Sequence, residues 1–361
     1  MNQQLASFAA RLRGLIDLQP FPADEATFES LALELFALQF QHNPAYQKIC
    51  AAWRLTPENV RSWTQIPAVP TGAFKELELS SIAPASRTAV FHSSGTTEQK
   101  PSRHFHCPES LSVYESSLWQ WFKGHVSTQQ PFIFLTPAPA AVPHSSLVHM
   151  FETVQTKAAE TGCAAASAKF FGGIGADGAW TMDFAAVVQT LNAACASGKP
   201  VTLLGTAFSF VHLLDFLAEN RVRLKLPAQS QVMETGGYKN RSRTLPKNEL
   251  HALITEYLGV RRENIICEYG MSELSSQAYD SGGSSRAFHF PPWARVQIIS
   301  PETSKPVAEG ETGLVRILDL ANVFSVAAIQ TEDLGIRRGD GFELAGRAQL
   351  AEPRGCSLMT A

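Results

Sequence analysis

Asn264-Ile265-Ile266-Cys267-Glu268-Tyr269-Gly270-Met271-Ser272-Glu273 is an apolar run of strand length that passes straight into a polar turn. The turn sets an aromatic ring, a hydroxyl and a carboxylate within the five residues from Tyr269 to Glu273. An aromatic face can stack on a base, and carboxylate and hydroxyl oxygens are the hard ligands that Mg2+ takes. A strand-to-helix turn whose glutamate caps the helix uses the same residue types. Outward from this stretch, strand candidates at 131–135, 200–204 and 264–268 alternate with helix candidates at 145–160, 183–197, 208–219 and 247–258. That alternation predicts α/β layers.

Upstream, Phe28, Leu31, Leu35 and Leu38 recur at helical spacing and predict an amphipathic helix over Asp24 to Phe40; a further helix is predicted from Glu109 to Phe122. The prolines of Ile66-Pro67-Ala68-Val69-Pro70-Thr71-Gly72 predict an extended crossing segment. Beyond residue 290 the pattern is strand-rich, with candidates at 294–299, 313–318 and 341–345. No Pro/Gly/Ser-rich linker divides the chain, which predicts one domain over 1–361. Within it lie a helical N-terminal segment (1–65), an α/β core (66–290) and a strand-rich C-terminal sublayer with a tail (291–361).

The 361 residues are 45% hydrophobic and 17% charged with a net charge of −3, enough apolar material for a sizeable core and no basic excess suited to nucleic acid. No apolar run reaches the ~20 residues of a membrane-spanning helix, and Met1-Asn2-Gln3-Gln4 does not open a signal peptide. Six scattered cysteines without a Cys-x-x-Cys pair predict neither a disulfide framework nor a structural zinc site and point to the cytoplasm.

Two more polar clusters accompany the Tyr269 turn. Ser93-Ser94-Gly95-Thr96-Thr97 joins small hydroxyl donors to a glycine that lets backbone N–H groups approach a polyphosphate, and it also reads as an ordinary polar loop. Thr331-Glu332-Asp333-Leu334-Gly335, followed by Gly346-Arg347, reads as a ribose acceptor with a nearby donor, or as two hairpin turns with a surface charge pair. Gly173-x-Gly175-x-x-Gly178 fits the dinucleotide fingerprint formally, after a short strand at 168–171 and before a helix, but lacks the acidic residue about twenty positions on. His104-Phe105-His106-Cys107 reads as a strand with solvated histidines in preference to a metal site.

In this order the three clusters resemble the adenylate-forming superfamily of acyl-CoA ligases and luciferases. Ile66-Pro67 to Phe74-Lys75, Pro143-His144-Ser145-Ser146-Leu147, Glu234-Thr235-Gly236-Gly237-Tyr238-Lys239, Glu273-Leu274-Ser275-Ser276-Gln277-Ala278-Tyr279 and Arg354-Gly355-Cys356-Ser357-Leu358 resemble one branch, the acyl-protein synthetases of bacterial fatty acid reductase (LuxE type). The resemblance implies the large N-terminal-type α/β domain of that superfamily, stacked sheets flanked by helices, without its mobile C-terminal domain. It implies ATP and Mg2+, activation of a long-chain fatty acid to an acyl-adenylate, transfer to an enzyme cysteine as a thioester, and an acyl reductase partner. An AMP-forming acyl- or aryl-CoA ligase, an inactive nucleotide-binding subunit and, most distantly, an NAD-linked oxidoreductase are the alternatives.

Residue by residue, the resemblance places Ser93, Ser94, Gly95, Thr96 and Thr97 at the β/γ-phosphates and Gly236 and Gly237 beside adenine. Tyr269, followed by Gly270, would stack on the base; Ser272 would meet the α-phosphate, Glu273 the Mg2+, and Asp333 the ribose, with Arg347 nearby. His144 falls beside the carboxylate substrate, and Cys356 is the acyl carrier, its thiolate favoured by Arg354. Where relatives have Gly followed by Pro-Lys, this loop runs Glu98-Gln99-Lys100-Pro101; Lys239 is the candidate for the cation that a C-terminal domain supplies elsewhere.

Overall fold

Side chains on successive strand residues point to opposite faces, and Phe132 and Phe134 pack on one side of the central sheet while Ile133 and Leu135 pack on the other. A sheet apolar on both faces must be covered twice, and this one is sandwiched between helices. The computed structural model describes residues 2–18, 20–93, 100–162, 168–236, 245–280 and 286–347. The helices are α1 (Gln3–Asp17), α2 (Glu25–His42), α3 (Pro44–Ala52), α4 (Ala73–Glu76), α5 (Pro108–Phe122), α6 (Ser146–Glu160), α7 (Phe184–Ser197), α8 (Ala207–Glu219) and α9 (Lys247–Leu258). The first strands are β1 (Val69–Pro70), β2 (Ala89–His92), β3 (Arg103–His106), β4 (Phe132–Pro137), β5 (Lys169–Ile174), β6 (Trp180–Met182), β7 (Thr202–Thr206) and β8 (Gln231–Thr235). They are followed by β9 (Ile265–Tyr269), β10 (Ala278–Asp280), β11 (Phe288–His289), β12 (Ala294–Ile299), β13 (Thr312–Asp319), β14 (Ala328–Arg338) and β15 (Gly341–Arg347).

The main sheet runs β12-β13-β14-β15-β11-β10-β9-β8-β7-β4-β5-β6, with β1 added to β14 and β2-β3 forming a separate ribbon. From β5 through β4, β7 and β8 to β9 the pairing is parallel, and from β9 onward through β10 it is antiparallel. Helices α7, α8 and α9 cover one face of the parallel block, and α5 and α6 the other. The N-terminal helices pack against the antiparallel end, where Trp293, Ile317 and Ile329 are buried. The six sequence-predicted helices all form within two residues of their expected ends. Among the described residues no helix is long and apolar enough to cross a membrane, and Cys50, Cys107, Cys195 and Cys267 are unpaired thiols.

One expectation, the solvated histidines, changes, and two weaker readings fall away. Gly173, Gly175 and Gly178 belong to the β5–β6 hairpin, where Gly175 N–H donates to Ala179 O at 2.8 Å, so no helix N-terminus stands there to hold a dinucleotide. His104 and His106 are buried, because β3 packs against α5 instead of facing water. Asp333 lies inside β14, not in a hairpin turn; the polar residues of that strand hide an alternation that the core enforces.

At the end of β13, Asp319 is wholly buried and accepts from Ser275 N–H (2.9 Å), Ser276 N–H (2.8 Å), Ser276 Oγ (2.7 Å) and Ala321 N–H (3.0 Å). Removing it strands buried donors. Asp319→Ala is expected to lower unfolding free energy in urea by about 3 kcal/mol, whereas Asp340→Ala, at a 94% exposed side chain, stays within about 0.5 kcal/mol.

Candidate active site

In open α/β sheets the carboxyl ends of parallel strands form the ligand crevice. Here β8 ends on Thr235 before Gly236, whose φ of +72° favours glycine, and its neighbour β9 ends on Tyr269. The Tyr269 hydroxyl donates to Asp333 Oδ2 at 2.8 Å, and Arg347 Nε donates to Asp333 Oδ1 at 3.0 Å. Asp333 and Arg347 are cross-strand partners in the β14–β15 pair, so strand register brings the acceptor and the cation together. The Tyr269 ring is walled by Phe288, Phe290 and Phe342, with centroids 5.9, 6.2 and 5.2 Å away. Burial, with the Asp333 carboxylate beside it, pushes the phenol well above its usual range and keeps it a donor.

The other half of the turn is tied to the β2–β3 ribbon. Ser93 Oγ, at the foot of the 94–99 segment, accepts from Ser102 N–H at 3.0 Å. Ser102 Oγ lies 3.3 Å from Ser272 Oγ, which donates to Glu273 Oε2 at 3.0 Å. His104 Nδ1–H donates to Ser272 O at 2.8 Å, and Asn322 Nδ2 donates to Glu273 O at 2.8 Å. The Tyr269–Glu273 turn thus joins both constellations, Tyr269-Asp333-Arg347 at one end and Ser93-Ser102-Ser272-Glu273 at the other. The Glu273 carboxylate and the Ser272 and Ser102 hydroxyls beside it are oxygen ligands of the kind a magnesium ion takes.

His144 is exposed and clipped to the strand that leads into Ser93: its Nδ1–H donates to Val90 O at 3.1 Å and its ring lies 4.7 Å from that of His92. Ser94, Gly95, Thr96, Thr97, Gly237, Lys239 and Cys356 lie outside the described residues. The sequence reading missed Ser102, His104, Asp319, Asn322, Thr235 and Glu268 as parts of this site. Glu268, Thr235 and His104 stand inside the stretches quoted above without a role at this site, and Asp319 and Asn322 stand out as polar residues inside the apolar run 317–329.

Burial also sets the charges. It drives His104 down to about 4 and His106 well below its ordinary range, so both imidazoles are neutral at pH 7. Glu268 is pushed up to about 7, mainly by burial and also by Glu234, against the opposing hydrogen bond from Thr235 Oγ1. The folded protein therefore keeps a proton that the unfolded chain releases from about pH 4.5 upward. Its stability contribution falls as pH rises between 4.5 and about 7, and the penalty is complete above that. Glu268→Gln, neutral at every pH, is expected to raise unfolding free energy at about pH 8.5 by up to about 3 kcal/mol and to change it little near pH 4.5, in paired urea titrations.

Known proteins share this architecture. 2-Hydroxyisobutyryl-CoA ligase, solved in the postadenylation state with 2-HIB-AMP, superimposes with a TM-score of 0.65 at 15% identity over 91% of this chain and 69% of that one. ATP-bound MatB from Rhodopseudomonas palustris gives 0.50 at 15% identity, over 84% and 58%. These likenesses establish the adenylate-forming α/β fold. In sequence, a long-chain-fatty-acid–luciferin-component ligase of Aliivibrio fischeri is 25% identical over 354 residues, 92% of this chain and 87% of the relative. The family model of the acyl-protein synthetase LuxE matches residues 17–361, nearly the whole length. The chain belongs to the LuxE family of acyl-protein synthetases.

Proposed function

We propose that this protein joins a long-chain fatty acid to AMP and then carries the acyl group on Cys356 for delivery to an acyl reductase partner. The observation that supports it best is the single turn that bonds Tyr269 to Asp333 and Arg347 at one end and Ser272 and Glu273 to the phosphate-loop foot at the other.

In the first half-reaction a carboxylate oxygen of the acid bonds to the α-phosphorus of ATP, and the bond from that phosphorus to the pyrophosphate oxygen breaks. Asp333 would accept from the ribose hydroxyls; each carboxylate oxygen offers about two acceptor sites and one bond is made to each here. Glu273 would hold the magnesium ion, which when bound offsets phosphate charge. Ser272 and the hydroxyls of 93–97 would donate to the phosphate oxygens, and His144 would face the acid. The cation assisting adenylation would be Lys239. In the second half-reaction the Cys356 thiolate bonds to the acyl carbonyl carbon and AMP leaves as the C–O bond breaks.

Acid-dependent exchange of pyrophosphate into ATP tests the first step. Asp333→Asn is expected to raise KM for ATP about tenfold, and Glu273→Ala to lower the exchange rate about a hundredfold. Parental exchange in both variants refutes the assignment. Incubation with ATP and labelled acid, without CoA, tests the second step. Cys356→Ser should keep exchange and lose the stable thioester label, whereas release of acyl-CoA on adding CoA marks a CoA ligase instead.

A further inference from the structure

We propose that Glu234, His251 and Cys267 form a proton-bonded lock that positions the ends of β8 and β9 for nucleotide binding; this rests on the adenylation reading above. The three side chains come from β8, α9 and β9, are buried, and bring their ligand atoms within 4.8 Å of one another. These are zinc-binding residue types, but the contacts they make here are hydrogen bonds whose hydrogens a metal would have to displace. Arg286 Nη1 lies 3.1 Å from His251 Nδ1. A guanidinium only donates, so Nδ1 accepts and the neutral ring carries its hydrogen on Nε2. Nε2 is the nitrogen that faces Glu234 Oε1 (3.4 Å) and Cys267 Sγ (3.5 Å), and with a hydrogen it has no lone pair for a metal. Cys267 Sγ donates to Glu234 Oε1 at 2.8 Å, and burial between carboxylates holds the thiol protonated.

Behind the cluster, Asp280 accepts from Cys267 N–H at 2.7 Å and is held by Lys247 at 2.9 Å and Arg286 at 3.5 Å.

The position of the lock supplies its role. Glu234 pairs with Cys267 in the parallel β8–β9 register, and the next pair is Thr235 with Glu268. Successive pairs face opposite sides of the sheet. The first pair is bonded on the α9 side, and the second, Thr235 Oγ1 to Glu268 Oε2, on the other. The second bond sits immediately before Gly236 and Tyr269, and the first one residue earlier on each strand. The strand ends are therefore held together on both faces at the point where the chain leaves the sheet to meet the nucleotide. Glu234, His251 and Cys267 are positioning residues: they act through Gly236 and Tyr269.

The experiment compares full-length Cys267→Ala, which removes the donor, with Cys267→Ser, which restores one. Hydrogen–deuterium exchange over 234–236 and 267–270, ATP affinity by calorimetry and kinetics of pyrophosphate exchange are measured on each. Cys267→Ala should speed amide exchange in those segments alone, weaken ATP binding and raise its KM about tenfold, and leave kcat within about twofold; Cys267→Ser should match the parent. Glu234→Gln, a milder change, serves if Cys267→Ala fails to fold. Unchanged ATP affinity with a lowered melting temperature reduces the cluster to a stability role and overturns the proposal. One equivalent of zinc in the parent, lost from Cys267→Ala, overturns it in favour of a metal site. A parent that binds ATP but shows no acid-dependent exchange refutes the adenylation reading while the binding and amide-exchange results still judge the lock.

Discussion

A carboxylate without contact to water holds the Tyr269–Glu273 turn in place. Asp319 accepts two backbone N–H groups from Ser275 and Ser276, the residues that carry the chain out of the turn. Beside it, Asn322 accepts from Ser275 Oγ at 2.6 Å and donates to Glu273 O. Gln39 of α2 in turn donates to Asn322 O at 2.8 Å and accepts from Ala327 N–H at 2.9 Å. The N-terminal helices are thus part of the site's support. A network of this kind is strong when complete and costly when one member is missing, since each orphaned group is left in a low-dielectric interior.

Burial also makes the site electrically quieter than its composition suggests. The His104 and His106 rings lie 4.3 Å apart, tilted by 42°, as neutral imidazoles beside the turn, and Glu268 holds its proton up to about pH 7. The imidazoles therefore serve as oriented donors and packing surfaces, not as cations for a polyphosphate. Arg347, with a side chain 78% exposed, is paired with Asp333 on the open side of Tyr269. Only the arginine of this pair faces water, since the Asp333 side chain is 11% exposed, so loss of Arg347 leaves a largely buried carboxylate with Tyr269 as its remaining partner.

Much of the architecture is legible in local patterns. The apolar run 131–135 and the helical spacing of α2, α6 and α9 announce their elements because each buries a face whose period the sequence must repeat. β8 and β14 escape that reading. β8 is brief and closes on Glu234 and Thr235, and β14 carries Gln330, Glu332 and Asp333 among its apolar positions. In both, side chains that look like loop residues are satisfied by partners from elsewhere in the chain.

What the sequence alone determined was chemistry and order: which donors, acceptors and rings exist, and the succession of hydroxyl loop, tyrosine turn and the Asp333 and Arg347 motifs. The tertiary structure decided which of them meet. Tyr269 reaches Asp333 across 64 positions and Ser102 reaches Ser272 across 170. It also set Arg286 Nη1 3.1 Å from His251 Nδ1, a contact across 35 positions. A hydrogen bond of about 3 Å is satisfied only within a few tenths of an ångström. Strand register and layer packing fix separations that finely, whereas the periodicity of a local segment only shows which face it buries.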